Sequence, residues 1–128
     1  MERSQSLYSI AYFKTERLAQ LTWLPGTEKM TNPDFGDALW AFAAVALRHA
    51  AHHLIIDVRH FMHSPSAEIL EWRDQVIVPM YIQAGVRKIA WIWPGETGSR
   101  TTTGAGGSYE NRYCANEDEA VGWLLSDQ

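Results

Sequence analysis

The sequence predicts a single α/β domain built on a mixed five-stranded sheet, antiparallel at its first hairpin and mainly parallel afterwards. Two short strand patterns open the chain, and two later apolar runs have the continuous character of strands buried on both faces. Helical patterns, with apolar residues at three- and four-residue spacing, separate these runs. Strands that alternate with helices favour parallel pairing and right-handed crossovers, so we expect the helices to pack on the sheet.

The first two strands are predicted at residues 7–13 and 18–24, which are rich in aromatic, β-branched and aliphatic side chains. The charged residues 14–17 lie between them and indicate a β-hairpin with a four-residue connection. Apolar and polar residues alternate in the second strand, which predicts one packed face and one wetter face. Pro25 and Gly26 end this strand.

The first helix is predicted to begin at residues 31–34, where polar capping residues precede a proline and an acid lies in the first turn. An apolar stripe runs from Phe35 to Ala50, and the basic residues from Arg48 to His53 mark the helix end. The continuous apolar run Leu54–Ile56, which is followed by Asp57, is typical of a central parallel strand.

The second helix is predicted to begin at Ser64–Pro65, which repeats the pattern of a cap followed by a proline. Pro79 lacks a backbone donor and clashes with the preceding turn, so we expect a kink or a break near Val78. Gly85 is placed to end the helix. Residues 88–93 then predict another strand buried on both faces.

Residues 95–108 are rich in glycine, serine and threonine without apolar periodicity, which predicts a long flexible loop or a poorly formed helix. A short last strand is predicted at Asn111–Ala115. Asn116 and Glu119 have capping-box spacing and open a final helix. No repeat or domain boundary is visible, so residues 1–128 are interpreted as one domain with a core at about 5–126.

Composition excludes several classes of function. Eleven basic and 15 acidic residues give a formal charge of −4, and without a basic run the chain is not expected to bind nucleic acid or an anionic membrane. The longest apolar run, Ala38–Leu47, is about half the ~20 residues of a membrane-spanning helix. With no secretory signal pattern and the single cysteine Cys114, we expect a cytoplasmic protein without internal disulfides or a cysteine-rich zinc site.

The chain carries, in order, Leu54–Arg59, Ser64–Pro65, Glu71–Trp72, Pro79, Ala84–Ala90 up to Pro94, Tyr113 and Glu119–Leu125. In this order the segments resemble the small bacterial proteins of the STAS (SpoIIAA-like) superfamily. Residues 71–94 are the most specific part of the likeness, since their tryptophan, proline and glycine stand in order before a strand. The resemblance implies the SpoIIAA-like fold and a regulatory or protein-interaction module.

In the sporulation-type members of that superfamily, a serine at the start of the second helix is phosphorylated and repels the partner kinase. Laying residues 61–65 on that loop puts Pro65 at the modified serine, with Ser64 before it and Ser66 after it. Proline cannot be phosphorylated. The resemblance therefore implies a phosphoswitch here only if Ser64 or Ser66 has taken it over.

Ligands of open parallel sheets tend to lie beyond the carboxyl ends of the strands, near helix N-termini. The candidate partner- or ligand-binding residues at this edge are Asp57, Arg59, His60, His63, Ser64, Ser66, Glu96, Thr97 and Asn116. A simpler interpretation makes Ser64 and Asn116 helix caps, with Asp57 holding a loop amide or pairing with Arg59.

Signals for catalysis or for a cofactor are weak. The pairs among His49, His52 and His53, and His60 with His63, lack a third metal ligand of defined spacing. Residues 95–107 follow a strand but lack the lysine of a phosphate-binding loop. Cys114 lies within a predicted strand, where a free cysteine acts as a small apolar residue. We therefore predict no cofactor, no metal and no catalytic residues.

The leading hypothesis is a non-enzymatic module that binds a protein partner or a second copy of itself through residues 59–66 and the adjoining face of the second helix. The alternative is a carrier for a small ligand such as a lipid or nucleotide, held in an apolar cavity between residues 95–108 and the second helix. Of the six tryptophans most should be core, with Trp91 and Trp93 on one face of their strand. An exposed aromatic patch would mark an interface or an apolar groove.

Overall fold

The computed structural model describes residues 7–93, 100–103 and 109–126. The strands are β1 (Tyr8–Phe13), β2 (Leu18–Trp23), β3 (His53–Asp57), β4 (Lys88–Ile92), β5 (Arg100–Thr103) and β6 (Glu110–Cys114). The helices are α1 (Asn32–His49), α2 (Ala67–Trp72), α3 (Val78–Ala84) and α4 (Glu117–Leu124). A 3-10 turn lies at Thr27–Lys29, and a π-helical segment at Arg73–Ile77 joins α2 to α3.

One mixed sheet contains all of these strands, in the order β1-β2-β3-β4-β6-β5. The antiparallel hairpin of β1 and β2 and the parallel pairing of β2, β3, β4 and β6 confirm the predicted arrangement of five strands. Asp57 pairs with Ile92, so the turns that leave β3 and β4 lie at the same edge of the sheet, as expected.

The sixth strand, β5, corrects the expectation that residues 95–108 contain only a loop or a poorly formed helix. It pairs antiparallel with β6, from Arg100 opposite Tyr113 to Thr103 opposite Glu110. Its three threonines are β-branched and suit an extended backbone. The segment lacks the alternation of apolar and polar residues that would predict a strand from sequence. The rest of this stretch, including the candidates Glu96 and Thr97, lies outside the described residues.

Helix α1 begins as the sequence predicts. The Asp34 N–H donates to Thr31 Oγ1 at 3.3 Å, and the Thr31 N–H donates to Asp34 Oδ2 at 3.1 Å, which completes a capping box. The helix ends at Ala50, whose φ of 51° takes the backbone into the left-handed region. Gly85 ends α3 in the same way at φ 97°, and Asn116 caps α4 by accepting from the Glu119 N–H.

The second helix begins two residues later than predicted. Ser66, and not Ser64, is the N-cap: the Ile69 N–H donates to Ser66 Oγ at 3.2 Å, and α2 starts at Ala67. A contact distant in sequence decides between the two serines, because the Ser66 N–H also donates to Asn32 Oδ1 at 3.4 Å. Ser64 is exposed and precedes Pro65, which disfavours a helical backbone at that serine.

The predicted irregularity before Pro79 takes the form of the π-helical segment. Proline has no N–H, so the carbonyl of Gln75 has no donor in a regular α-helix. A π-helical turn uses i→i+5 bonds and accommodates one extra residue, so the helix widens here instead of breaking. The wide turn lies between α2 and α3, on the side of the sheet that carries α1.

Two apolar layers enclose the sheet. Helices α1 and α3 pack on one face, against the inward side chains of β2, β3 and β4, and Phe42 lies fully buried there. Helix α4 packs on the opposite face, where Ile55, Ile92 and Cys114 meet Leu124. Most tryptophans are at least half-buried, but Trp40 is 52% exposed. Among the described residues no helix combines the length and apolarity needed to cross a membrane.

The assignment of the α2 cap predicts different effects for two neighbouring serines. Ser66→Ala removes the acceptor for the Ile69 N–H and should lower the free energy of unfolding by about 1 kcal/mol. Ser64→Ala removes an exposed hydroxyl and is the matched control, with an expected change close to zero. Urea unfolding at neutral pH measures both variants. A larger loss of stability for Ser64→Ala than for Ser66→Ala would indicate that Ser64 is the N-cap.

Candidate functional site

The predicted site residues at the end of β3 form a tight ion pair. Asp57 is only 3% exposed, and Arg59 donates to it from its backbone N–H at 3.1 Å, from Nε at 3.0 Å and from Nη2 at 2.6 Å. Burial alone raises the pKa of Asp57, but the hydrogen bonds and the charge of Arg59 outweigh it and hold the pKa below its usual value. The pair therefore holds the turn that follows β3 in place.

His63 and Ser66 meet at the start of α1. Asn32 Oδ1 lies 3.1 Å from His63 Nε2 and accepts the Ser66 N–H, so one amide oxygen connects both residues to the helix. The His63 ring also contacts the rings of Phe35 and Phe61, at centroid distances of 5.7 and 6.1 Å. These side chains thus hold the segment that follows β3 against α1, whereas Ser64 stands apart from them on the surface.

A buried threonine that sequence reasoning missed completes this anchoring. Thr27 is fully buried; its Oγ1 donates to the His60 carbonyl at 3.1 Å and accepts the Met62 N–H at 2.6 Å. A threonine beside Pro25 and Gly26 suggests an ordinary surface turn, so nothing local marks it as buried. Residues 58–66 are consequently fixed from three sides, by Thr27, by Asn32 and by the Asp57–Arg59 pair.

An apolar pocket of about 530 Å³ opens on the α1 side of the sheet. Its walls come from α1, from the helical stretch of α2, the π-helical segment and α3, from the fixed residues 58–66, and from β2, β3, β4 and β6. Eight aromatic side chains line it: Trp23, Phe35, Phe61, Tyr81, Trp91, Trp93, Tyr109 and Tyr113. These residues come from separate parts of the chain, so a sequence motif could not reveal the pocket.

The position of the pocket follows from the way the sheet is covered. Helix α1 crosses between β2 and β3, and the α2 to α3 helix crosses between β3 and β4, both on this face. The connection from β4 to β6 contains β5, and α4 packs on the opposite face. The described helices therefore leave this side of β6 uncovered, and Tyr113 is 36% exposed there.

The aromatic surface beside β6 is held in place by ring packing and one hydrogen bond. The Tyr113 ring lies 6.4 Å from the Trp91 ring and 5.7 Å from the Trp93 ring, between centroids. Trp91 Nε1 donates to Asn111 Oδ1 at 3.0 Å and fixes the plane of the indole. Trp91 and Trp93 line the same pocket, in agreement with the prediction that they share one face.

The other sequence candidates lie away from this pocket. The His49 ring stacks on Tyr12 at 4.2 Å, and His53 Nδ1 lies 3.0 Å from the Glu16 carbonyl oxygen. Within residues 7–93 and the described parts beyond them, no three metal-ligating side chains cluster. Cys114 is fully buried, and burial raises the pKa of its thiol to about 11, so the thiol is protonated at neutral pH.

Comparison with known proteins gives no match: no family model matches the chain, and no curated protein or solved structure does. The STAS-like assignment accordingly stays a prediction from the residue pattern. Function has to be inferred from the geometry of the pocket and of the residues that enclose it.

The Asp57–Arg59 pair predicts an acid-sensitive contribution to stability. Asp57→Asn leaves Arg59 without its charged partner and should lower the free energy of unfolding at pH 7 by about 2 kcal/mol. The folded-state pKa of Asp57 is depressed, so this contribution is complete above the unfolded pKa of about 3.9 and disappears as the pH falls through the folded pKa. Urea unfolding between pH 7 and pH 3 measures it.

Asp74→Asn is the matched control for that experiment. Asp74 also pairs with an arginine, but its side chain is 63% exposed, so its replacement should cost less than about 1 kcal/mol. Equal losses for the two variants, or an Asp57→Asn loss that grows as the pH falls, would contradict the role assigned to the Asp57–Arg59 pair.

Proposed function

We propose that this protein is a binding module for a small and largely apolar molecule, which it holds in the aromatic pocket. The observation that carries the proposal is the pocket itself. Its volume of about 530 Å³ falls within the roughly 300–1,000 Å³ of small-molecule sites, and its lining is mainly aromatic and aliphatic with few polar groups. An apolar guest would remove that surface from water, with a gain of roughly 25 cal/mol for each Å² buried.

Packing supports a binding role for this space. The pocket opens to solvent beside β6, where the lining residue Tyr113 is 36% exposed, so it is accessible to a ligand. Its walls are also rigid, since the Trp23, Phe35 and Phe61 rings contact one another at 4.9 to 5.7 Å and Asn111 holds Trp91. Preformed walls reduce the entropy lost on binding, which favours affinity for a small guest.

Two parts of the lining support the ligand-binding alternative from the sequence. That alternative places the ligand between the second helix and residues 95–108. Val78 at the start of α3 lines the pocket, and so do Trp93 and Tyr109, which flank that stretch in the sequence.

A STAS-like regulatory or protein-interaction module, including self-association as a homodimer, is the second candidate. One observation favours it: Met62 is 66% exposed although its own N–H donates to Thr27 Oγ1 and the next side chain, His63, contacts Asn32 Oδ1. A large apolar side chain on a fixed surface segment suits contact with a partner. In this candidate, phosphorylation of Ser64 or of the helix cap Ser66 would add negative charge beside Met62.

A neutral hydrophobic fluorophore tests the first candidate directly. We expect N-phenyl-1-naphthylamine to bind with saturation at one site per chain. Val78→Phe places a larger side chain in the pocket and should weaken binding by roughly tenfold or more. Fluorescence titration measures the affinity, and thermal unfolding establishes that the variant is folded.

Ile82→Phe is the matched control, because Ile82 lies on the same helix but is 41% exposed and outside the pocket lining. It should bind the fluorophore like the original chain. Absence of saturable binding, or equal weakening in both variants, would rule out this pocket as the site.

Self-association through Met62 predicts a different pattern. In that case the chain sediments as a dimer at high concentration, Met62→Glu sediments as a monomer, and Leu125→Glu, which replaces another exposed apolar residue, stays dimeric. Analytical ultracentrifugation distinguishes these states. A chain that is monomeric throughout removes the homodimer from consideration.

A further inference from the structure

Two buried tyrosines line the pocket, and neither hydroxyl has a hydrogen-bond partner among the described residues. Tyr81 on α3 is 5% exposed, and Tyr109, just before β6, is 7% exposed. Both side chains line the pocket, and no described residue hydrogen-bonds to either hydroxyl. Buried polar groups in native proteins are almost always paired, because burial removes the hydrogen bonds that water would supply. Two such hydroxyls at one pocket therefore point to a ligand that supplies their partner.

The guanidinium group of Arg73 lies in the same pocket lining as the two tyrosines. Arg73, from the π-helical segment, lines the pocket, and its charge opposes the rise in pKa that burial causes at both Tyr81 and Tyr109. Its Nε and Nη2 both donate to one oxygen, Asp74 Oδ1, at 3.1 and 3.0 Å. The other N–H groups of the guanidinium have no hydrogen-bond partner among the described residues. The widened turn before Pro79 thus adds a cation to a mainly apolar wall.

The balance of donors and acceptors indicates the kind of ligand atom. Asn111 Oδ1 accepts a hydrogen bond from Trp91 Nε1, so the side-chain NH₂ group of Asn111 is a further donor. Asp74 is the charged acceptor of the lining, but its side chain is 63% exposed and already paired with Arg73. Donors therefore outnumber acceptors inside the pocket, so it is suited to an oxygen acceptor. One cation that shares its charge with a carboxylate suits a monoanion better than a phosphate dianion.

We infer that the ligand is a hydrophobic monocarboxylate, whose apolar body contacts the aromatic walls and whose carboxylate accepts from Tyr81, Tyr109 and Arg73. This inference rests on the proposed function and specifies its ligand. Burial raises the pKa of both phenols, so the hydroxyls keep their protons at neutral pH and remain donors. Arginine offers paired N–H groups in the geometry that a carboxylate accepts.

Paired probes separate the carboxylate from the apolar body. Isothermal titration of the full chain with 2-naphthoate and with its neutral isostere 2-naphthamide should show the acid binding tighter by roughly tenfold or more. Tyr81→Phe and Arg73→Gln should each weaken naphthoate by roughly tenfold and change naphthamide by less than about threefold.

Two controls carry the same chemical changes away from the pocket. Tyr12→Phe removes a phenol hydroxyl on β1, and Arg87→Gln removes an exposed cation; neither residue lines the pocket, and naphthoate affinity should stay unchanged in both. Tyr81→Phe also removes the hydroxyl of a buried residue that has no partner in the described part of the chain, so the ligand-free variant should melt at the same temperature as the original chain or higher. A drop in melting temperature would reveal a structural bond and overturn this role for Tyr81.

The outcomes distinguish this inference from the proposal beneath it. Equal affinities for the two naphthyl probes would show that the carboxylate is not recognised. A loss of naphthoate binding in the control variants as large as in Tyr81→Phe would show the same. Neither result would contradict the proposed binding of apolar molecules. If the chain binds the neutral fluorophore but not naphthoate, the inference of a carboxylate ligand is also wrong, and the proposed function remains. Failure of every probe, including the fluorophore, overturns the proposed function itself.

Discussion

The parallel pairing of β2, β3, β4 and β6 is the constraint on which the other features depend. Each parallel connection has to return the chain to the same edge of the sheet, so it crosses one face of the sheet or passes around its border. The first two connections cross as helices and bury the face that carries Leu54, Ile56 and Ile89. The third contains β5, and α4 is on the other side. The pocket is the space that this uneven covering leaves beside β6.

Polar anchors then give the pocket a fixed wall. The segment after β3 is held by the Asp57–Arg59 pair, by the buried hydroxyl of Thr27 and by the amide of Asn32, so Val58, Phe61 and Pro65 are presented to the pocket from a rigid backbone. Hydrogen bonds in a setting of low dielectric are strong when complete and costly when broken. The candidate residues at the end of β3 thus contribute to a site mainly by ordering the chain around it.

Much of the fold could be predicted from the sequence, because buried strands and amphipathic helices leave periodic patterns. The second-helix start, β5 and the burial of Thr27 could not be, since each depends on a partner far away in the chain: Asn32 for Ser66, β6 for the threonines, and the His60 carbonyl for Thr27. A short local pattern carries no signal of such partners.

The site was predicted less well than the fold. Polar residues and helix starts coincide at the strand ends and mark them as candidates, whereas no local pattern marks Tyr81 or Arg73. The useful signal was the spacing of Trp91 and Trp93, which places two large rings on one face. Their surroundings come from β6 and from the wide helical turn that precedes Pro79. The kink was predictable from proline chemistry, but its effect on Arg73 required the three-dimensional path of the helix.

The most direct test of the account is the two-dimensional NMR spectrum of the indole N–H groups during titration with 2-naphthoate. The account predicts large shifts for Trp91 and Trp93, which line the pocket, and unchanged signals for Trp40 and Trp123, which do not. Shifts centred on Trp40 or Trp123, with the Trp91 and Trp93 signals unmoved, would place the ligand elsewhere and contradict it.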